Sequence, residues 1–257
     1  MKRILRIMMM IRDEGNIPGT NVMGNVVMND LKDQEETLFR EWKERYDLWA
    51  ASACNECKHG AFIQDGVVDY ERFLSAEIRI CCVLKDTDQL GMPLVEFLRN
   101  GAPGNGEHTW NPLCGWLTGQ VRRFTAEERA DVLARVAVIN IKKEDGQRKA
   151  HLSELRTALH RDKDMLKKQV RLYRDCGKCL FLCCGDGVFE LAQELFDVGQ
   201  SKEDKTVFGN RYFVIGNEVV LAQIRHPQKV LCAEVQRKTN EQFAELMRVA
   251  REVLTAV

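Results

Sequence analysis

Three polar side chains that could act together in chemistry stand at the ends of short apolar segments of this chain. They are the carboxylate of Asp86, the carboxamide of Asn140 and the imidazole of His226. In an open parallel sheet the loops at the carboxyl ends of the strands lie together, so residues far apart in sequence can line one crevice. The three residues therefore predict an active site at one edge of a sheet.

Asp86 and a second carboxylate, Asp88, follow the first apolar segment where the chain must leave the sheet. A carboxylate there can orient a water molecule or stabilise a developing positive charge. His226 is held by Pro227, and its imidazole can donate a hydrogen bond to a leaving group. The alternative interpretation is that both aspartates are turn residues and that His226 is structural.

Two residues could contact a nucleobase. The Asn140 side chain offers a donor and an acceptor, which is what reading the edge of a base requires. Trp110 could stack on an unpaired base. The alternatives are an asparagine that bonds its own loop and a tryptophan that anchors the core at a helix start.

Four cations near the predicted strand ends suit the phosphates of a nucleic acid and would make binding salt-dependent. The chain has 38 basic and 38 acidic residues, so its overall charge attracts no polyanion and contact must come from a local patch. A solvated charged loop is the alternative. The candidate phosphate ligands are Lys142, Lys143, Arg225 and Lys229.

The chain has ten cysteines, several of them inside apolar segments where cysteine behaves as a small hydrophobe. This usage favours a reducing, cytoplasmic environment. Two C-x-x-C pairs, at 54–57 and 176–179, could together hold zinc or an iron–sulfur cluster. They are more than a hundred residues apart, and we expect no metal.

Apolar segments and helical patterns alternate along the chain, which predicts an α/β fold. We expect a three-layer α/β/α domain with a central, mainly parallel four-stranded sheet, and a small hairpin over 206–215 before the last strand. The predicted strands are 78–84, 136–141, 179–184 and 219–224. The predicted helices are 30–51, 93–99, 112–124, 126–135, 152–173, 187–196 and 240–254.

Residues 1–29 lack a clear period, which predicts a flexible leader before a single domain over 30–257. Arg6 interrupts the apolar start, so we expect no signal peptide. No window approaches the roughly 18 apolar residues of a membrane span. We expect a cytoplasmic monomer that does not contact a membrane.

Taken together and in this order, the strand ends resemble the uracil-DNA glycosylase superfamily over about residues 78–232. Residues 84–88 resemble its water-activating motif, Asn140 its base-reading asparagine, and 226–228 its His-Pro-Ser element. Residues 181–185 look like its third strand and glycine turn. The match departs from the family at Lys85, which replaces a glycine, and in the absence of the tyrosine that screens the 5-position of uracil.

The resemblance implies a uracil-DNA glycosylase-like fold and a DNA glycosylase that flips a nucleotide out of single- or double-stranded DNA. It would hydrolyse the N-glycosidic bond with no metal or organic cofactor. Asp86 or Asp88 would balance the sugar cation, His226 would bond the departing base and Asn140 would read it. The missing tyrosine favours a modified pyrimidine, such as a hypermodified cytosine in phage DNA, and hence antiviral defence. Uracil repair, an inactive nucleic-acid-binding module and a cysteine metal protein are the alternatives.

Overall fold

The structure, a computed structural model, describes residues 21–52, 60–88, 90–146, 151–199, 201–230 and 232–255. Within these ranges, the helices are α1 (Asn21–Ser52), α2 (Tyr70–Leu74), α3 (Leu94–Arg99), α4 (Glu107–Thr118), α5 (Ala126–Leu133), α6 (Leu152–Asp175), α7 (Asp186–Phe196) and α8 (Ala233–Thr255). The strands are β1 (Gly66–Val67), β2 (Arg79–Leu84), β3 (Thr87–Asp88), β4 (Val136–Asn140), β5 (Asp145–Gly146), β6 (Cys179–Cys184), β7 (Glu203–Lys205), β8 (Arg211–Ile215) and β9 (Val219–Ile224).

Seven strands form one mixed sheet in the order β1-β4-β2-β6-β9-β8-β7. The four predicted strands, β2, β4, β6 and β9, are parallel neighbours at its centre. The α/β class is therefore confirmed, whereas the predicted number of four strands is wrong. Three strands extend the sheet through antiparallel pairing: β1 is only two residues long, and β7 and β8 form a hairpin. The hairpin was predicted with its first strand at 206–208, which is wrong, because β7 is Glu203–Lys205 and residues 207–208 lie in the turn. Short or polar edge strands carry little of the apolar pattern on which the prediction depends.

The central strands are buried on both faces, and their side chains alternate between two hydrophobic clusters. In β2, Cys81 and Val83 belong to one cluster, while Cys82 and Leu84 belong to the other. Helices α1, α2, α6 and α7 supply the first cluster, and α3, α4, α5 and α8 supply the second. Helices thus pack on both faces of the sheet, as parallel strands require.

Several helices begin earlier than the sequence pattern predicts. Helix α1 starts at Asn21, so residues 21–29 are helical and do not belong to a leader. Helix α4 starts at Glu107 and carries Pro112 in its interior. Helix α8 starts at Ala233, seven residues before its predicted start at 240. The prediction is late because the first turns of the helix are polar and give no apolar pattern. Of the helices described, none is long and apolar enough to cross a membrane.

Candidate active site

The order of the parallel strands creates a topological switch point at their carboxyl ends, which is where open α/β sheets form a crevice. Across the sheet, the four parallel strands stand in the order β4-β2-β6-β9, whereas along the chain β2 comes first and β4 second. The connections therefore diverge between β2 and β6, and ligands of open α/β sheets bind at such a switch point.

Backbone pairing continues past the strand ends and brings the predicted site residues to this edge. The Lys85 carbonyl accepts the Lys142 N–H at 2.9 Å, so the residue before Asp86 lies beside the residues that follow Asn140. On the other side of β2, the Gly185 N–H donates to the Ile224 carbonyl at 2.8 Å. Asp86, Asn140 and His226 therefore leave the same edge of the sheet, as predicted.

His226 is half-buried beside the glycine turn that ends β6. A Cβ atom placed on Gly185 would lie 3.8 Å from the His226 Cβ, in ordinary van der Waals contact, so the two residues are immediate neighbours. Pro227 begins the short 3-10 helix Pro227–Lys229, and the His226 Nδ1 accepts the Gln228 N–H at 3.3 Å. This bond places the proton of the neutral ring on Nε2, which is left as a donor.

The electrostatic surroundings keep the His226 imidazole neutral. Burial lowers its pKa to about 4, and the positive charges of Lys85 and Lys229 act in the same direction. At neutral pH the ring therefore donates one hydrogen bond through Nε2 without carrying a charge.

The backbone N–H of Asn140 forms a hydrogen bond, whereas its side-chain amide forms none with the described residues. Its N–H donates to the Asp65 Oδ2 at 2.5 Å, whereas its Oδ1 and Nδ2 have no hydrogen-bond partner among the described residues. The residue is 1% exposed, and each unsatisfied buried polar group costs roughly 1–3 kcal/mol. A ligand that donates one hydrogen bond and accepts another would satisfy both atoms. The amide is covered, so a ligand reaches it only after neighbouring side chains move aside.

We expect Asn140→Ala to leave the free energy of unfolding unchanged or to raise it. Removing two unsatisfied polar groups offsets the lost packing, while the backbone bond to Asp65 is retained. Chemical denaturation of the purified variant measures this. A loss above about 2 kcal/mol would show that the side chain is bonded in the folded protein.

Asp86 and Asp88 differ in what the structure describes. Asp86 is half-buried and its Oδ2 is enclosed. Asp88 lies in β3, which pairs with β5 and so ties this loop to the one after β4. The Asp88 side chain lies outside the described residues. Asp86, nearest to the strand end, is the better placed carboxylate of the two.

Lys143 was expected to bind a phosphate, and the structure contradicts this. Its side chain is fully buried, and its ammonium lies 2.5 Å from the Asp65 carboxylate and 2.9 Å from the Gln169 Oε1. Burial lowers its pKa, and Asp65 opposes that effect. Because Asp65 also accepts the Asn140 N–H, this ion pair positions the candidate base reader instead.

The other predicted cations lie at the crevice edge. Lys142 is half-buried with its ammonium 3.8 Å from the Glu144 carboxylate, which compensates part of its charge. Arg225 and Lys229 are exposed, and neither forms an ion pair in the part of the chain that the structure describes. These two remain the better candidates for phosphate contacts.

Trp110 packs in the hydrophobic core, which is the alternative interpretation of this residue and contradicts its predicted stacking on a base. The side chain is 5% exposed and belongs to the core cluster with Leu113 and Trp116. The surrounding apolar helix α4 explains the burial, because Trp110 lies on its core-facing side.

Both cysteines of the second pair bond to backbone carbonyls of helix α6. Cys176 donates to the Leu172 carbonyl and Cys179 to the Tyr173 carbonyl, both at 3.2 Å. Burial raises the pKa of Cys176 to about 11. The described ranges contain no cluster of three potential metal ligands, and the pair at 54–57 lies outside them.

A buried carboxyl beneath the site predicts a pH dependence of stability. Glu35 accepts hydrogen bonds from Tyr70 at 2.6 Å and from Tyr173. Burial raises its pKa to about 7 although these bonds oppose the shift. Its contribution to stability is thus fully present below the unfolded-state value of 4.5 and is lost as the pH rises through 7.

As the pH rises from 5 to 8, the wild type should lose free energy of unfolding that the Glu35→Gln variant keeps. We expect the difference in free energy of unfolding between the variant and the wild type to increase by about 2 kcal/mol over this range. Denaturation of both proteins at several pH values measures this difference. The wild type alone is a poor readout, because His226, whose pKa is lowered, gives the opposite dependence. A constant difference between the two proteins would contradict the raised pKa of Glu35.

Lys85 is a further charged residue at this edge, beyond those that the sequence predicts for the site. It stands at the same strand end as Asp86, and its carbonyl accepts the Lys142 N–H. Its position directly after an apolar segment is the same signal that predicts Asp86 and Asn140.

Comparison with models of known protein families and with curated proteins gave no match. The resemblance at the strand ends therefore has no support from overall sequence similarity. The case for a function rests on the geometry of the crevice.

Proposed function

We propose that the protein is a DNA glycosylase that removes an aberrant or modified pyrimidine from a flipped nucleotide and leaves an abasic site. The observation that carries the proposal is the buried Asn140 amide, which has an unused donor and an unused acceptor at the end of β4, one strand from the topological switch point between β2 and β6. Its neighbours at this edge are a carboxylate, Asp86, and a neutral imidazole donor, His226. The proposal includes the finer fold assignment, a three-layer domain of the uracil-DNA glycosylase type.

Asp86 and His226 act at the two ends of the bond that breaks. The bond from the sugar C1′ to the base nitrogen breaks, and its electron pair leaves with the base. Asp86 stabilises the resulting sugar cation and takes a proton from the water whose oxygen bonds to C1′. The His226 Nε2–H donates to the departing base anion, which then takes a proton from solvent.

Asn140 supports selection of the base. A carboxamide can pair with the donor and acceptor edge of a pyrimidine, and a base lacking either group leaves a buried atom unsatisfied. The base must be flipped out, because neither its edge nor the reacting bond is accessible in the stack.

Arg225 and Lys229 support DNA as the partner. Both are exposed cations at the crevice edge, and phosphate contacts of this kind position the backbone without reading sequence. The balanced total charge makes such a local patch the main electrostatic attraction.

The substrate we favour is a pyrimidine with a large 5-substituent, such as a hypermodified cytosine of phage DNA, because no tyrosine follows Asp86 to screen that position. This would make the protein a cytoplasmic antiviral enzyme. Uracil is the alternative substrate and would make it a repair enzyme.

Base release from a panel of DNAs tests the proposal. Single- and double-stranded oligonucleotides carrying uracil, 5-hydroxymethylcytosine or glucosylated cytosine are incubated with the protein and then cleaved with alkali at abasic sites. We expect cleavage at the modified position. DNA binding without abasic product would instead indicate a nucleic-acid-binding module that lacks catalysis.

A further inference from the structure

Lys85 occupies the centre of the crevice edge. Its backbone lies between the β4 end, through the bond to Lys142, and the β6 end, where Val83 pairs with Cys183 and Gly185 follows two residues on. Gly185 in turn lies against His226. Lys85 is half-buried, so part of its side chain is covered by neighbouring residues.

Among the side chains that the structure describes, Lys85 has no ion-pair partner, unlike the two lysines beside it. Lys142 has Glu144 and Lys143 has Asp65, whereas Lys85 forms no ion pair with any described residue. The charged groups that act on the His226 imidazole are Lys85 and Lys229, both positive. A partly buried cation is costly unless an anion pairs with it, and an arriving anion at Lys85 would reduce that cost.

We infer that the Lys85 ammonium stabilises the negative charge on the departing base, beside the hydrogen bond from His226. The inference rests on the proposed glycosylase function and assigns Lys85 to the leaving-group side of the reaction. As the bond from C1′ to the base nitrogen breaks, the electron pair moves onto the base, and the resulting anion meets a fixed positive charge.

A phosphate is the other anion that could meet Lys85. Position favours the base: Lys85 follows β2, between the end of β4, which carries Asn140, and the end of β6, where Gly185 lies beside His226. The exposed Arg225 and Lys229 are better placed to meet the backbone. The two ligands also predict different measurements. A phosphate contact adds about one unit to the slope of log affinity against log salt, whereas a leaving-group contact changes the chemical step.

The test is the dependence of the Lys85→Met defect on the leaving group. Single-turnover rates are compared for uracil against 5-fluorouracil and for 5-hydroxymethylcytosine against 5-formylcytosine, using the pair the protein cleaves. We expect about a 30-fold loss for the less acidic base of the pair and about threefold for the electron-poor one, which needs less help. Lys85→Arg should recover most of the rate, and Lys32→Met, an exposed α1 variant, serves as the control.

A second readout does not require activity. Removing the charge of Lys85 should raise the pKa of the His226 imidazole, which proton NMR of the wild type and Lys85→Met measures. An unchanged pKa would place Lys85 away from His226 and overturn the inference. Two further results would overturn the inference and leave the proposed function intact. One is an equal rate loss in Lys85→Met for both bases of a pair. The other is a smaller slope of log affinity against log salt in this variant with unchanged rates. No base release by the wild type would overturn both.

Discussion

Asp86→Asn is expected to lower the single-turnover rate of base release by about 10³-fold while DNA affinity changes little. The amide keeps the shape of the carboxylate but can neither balance the sugar cation nor take the proton of water. His226→Ala should cost about 10²-fold, because it removes one preorganised donor to the leaving base. Rapid-quench measurement of abasic product under excess enzyme gives both rates.

Asp88→Asn is the matched control, since it changes the neighbouring carboxylate in the same loop. If Asp88→Asn lowers the rate of base release and Asp86→Asn does not, Asp88 is the catalytic carboxylate and Asp86 is not. Unchanged rates in all three variants would contradict a site at this edge of the sheet.

Lys143→Met is expected to lower the free energy of unfolding by about 3–5 kcal/mol, because it leaves the Asp65 carboxylate buried without its counter-ion. Urea denaturation followed by circular dichroism measures the change. The double variant Lys143→Met with Asp65→Leu should recover part of the loss, because two apolar side chains replace the whole ion pair.

Lys32→Met is the control for this stability measurement, since Lys32 forms only an exposed pair with Glu36. Its cost should stay below about 1 kcal/mol. If Lys143→Met cost no more than this exposed variant, the buried pair would contribute nothing to the fold, and Asn140 would have to be positioned by other contacts.

The central strands could be predicted because strands buried on both faces are continuously apolar, and β6 and β9 have the predicted bounds. The edge strands could not, because β1 is two residues long and β7 is polar and exposed. Their pairing is decided by the neighbours β4 and β8, which the local sequence does not reveal.

The sequence could predict which candidate site residues share one edge of the sheet, because the strand topology alone determines this. Asp86, Asn140 and His226 lie at one edge because parallel strands end together. Lys143 was misassigned because its partner Asp65 is 78 residues away in sequence, and a charge run carries no sign of burial. The unsatisfied state of Asn140 is likewise a property of its surroundings in the fold.

The most direct test of the central claim is mass spectrometry of the products formed from an oligonucleotide carrying a single modified pyrimidine. The proposed function predicts a free, chemically intact base and a strand whose mass has fallen by that base, with the sugar–phosphate backbone unbroken. Neither product should form with Asp86→Asn. An unchanged strand across uracil, 5-hydroxymethylcytosine and glucosylated cytosine, or equal product from the variant, would contradict it.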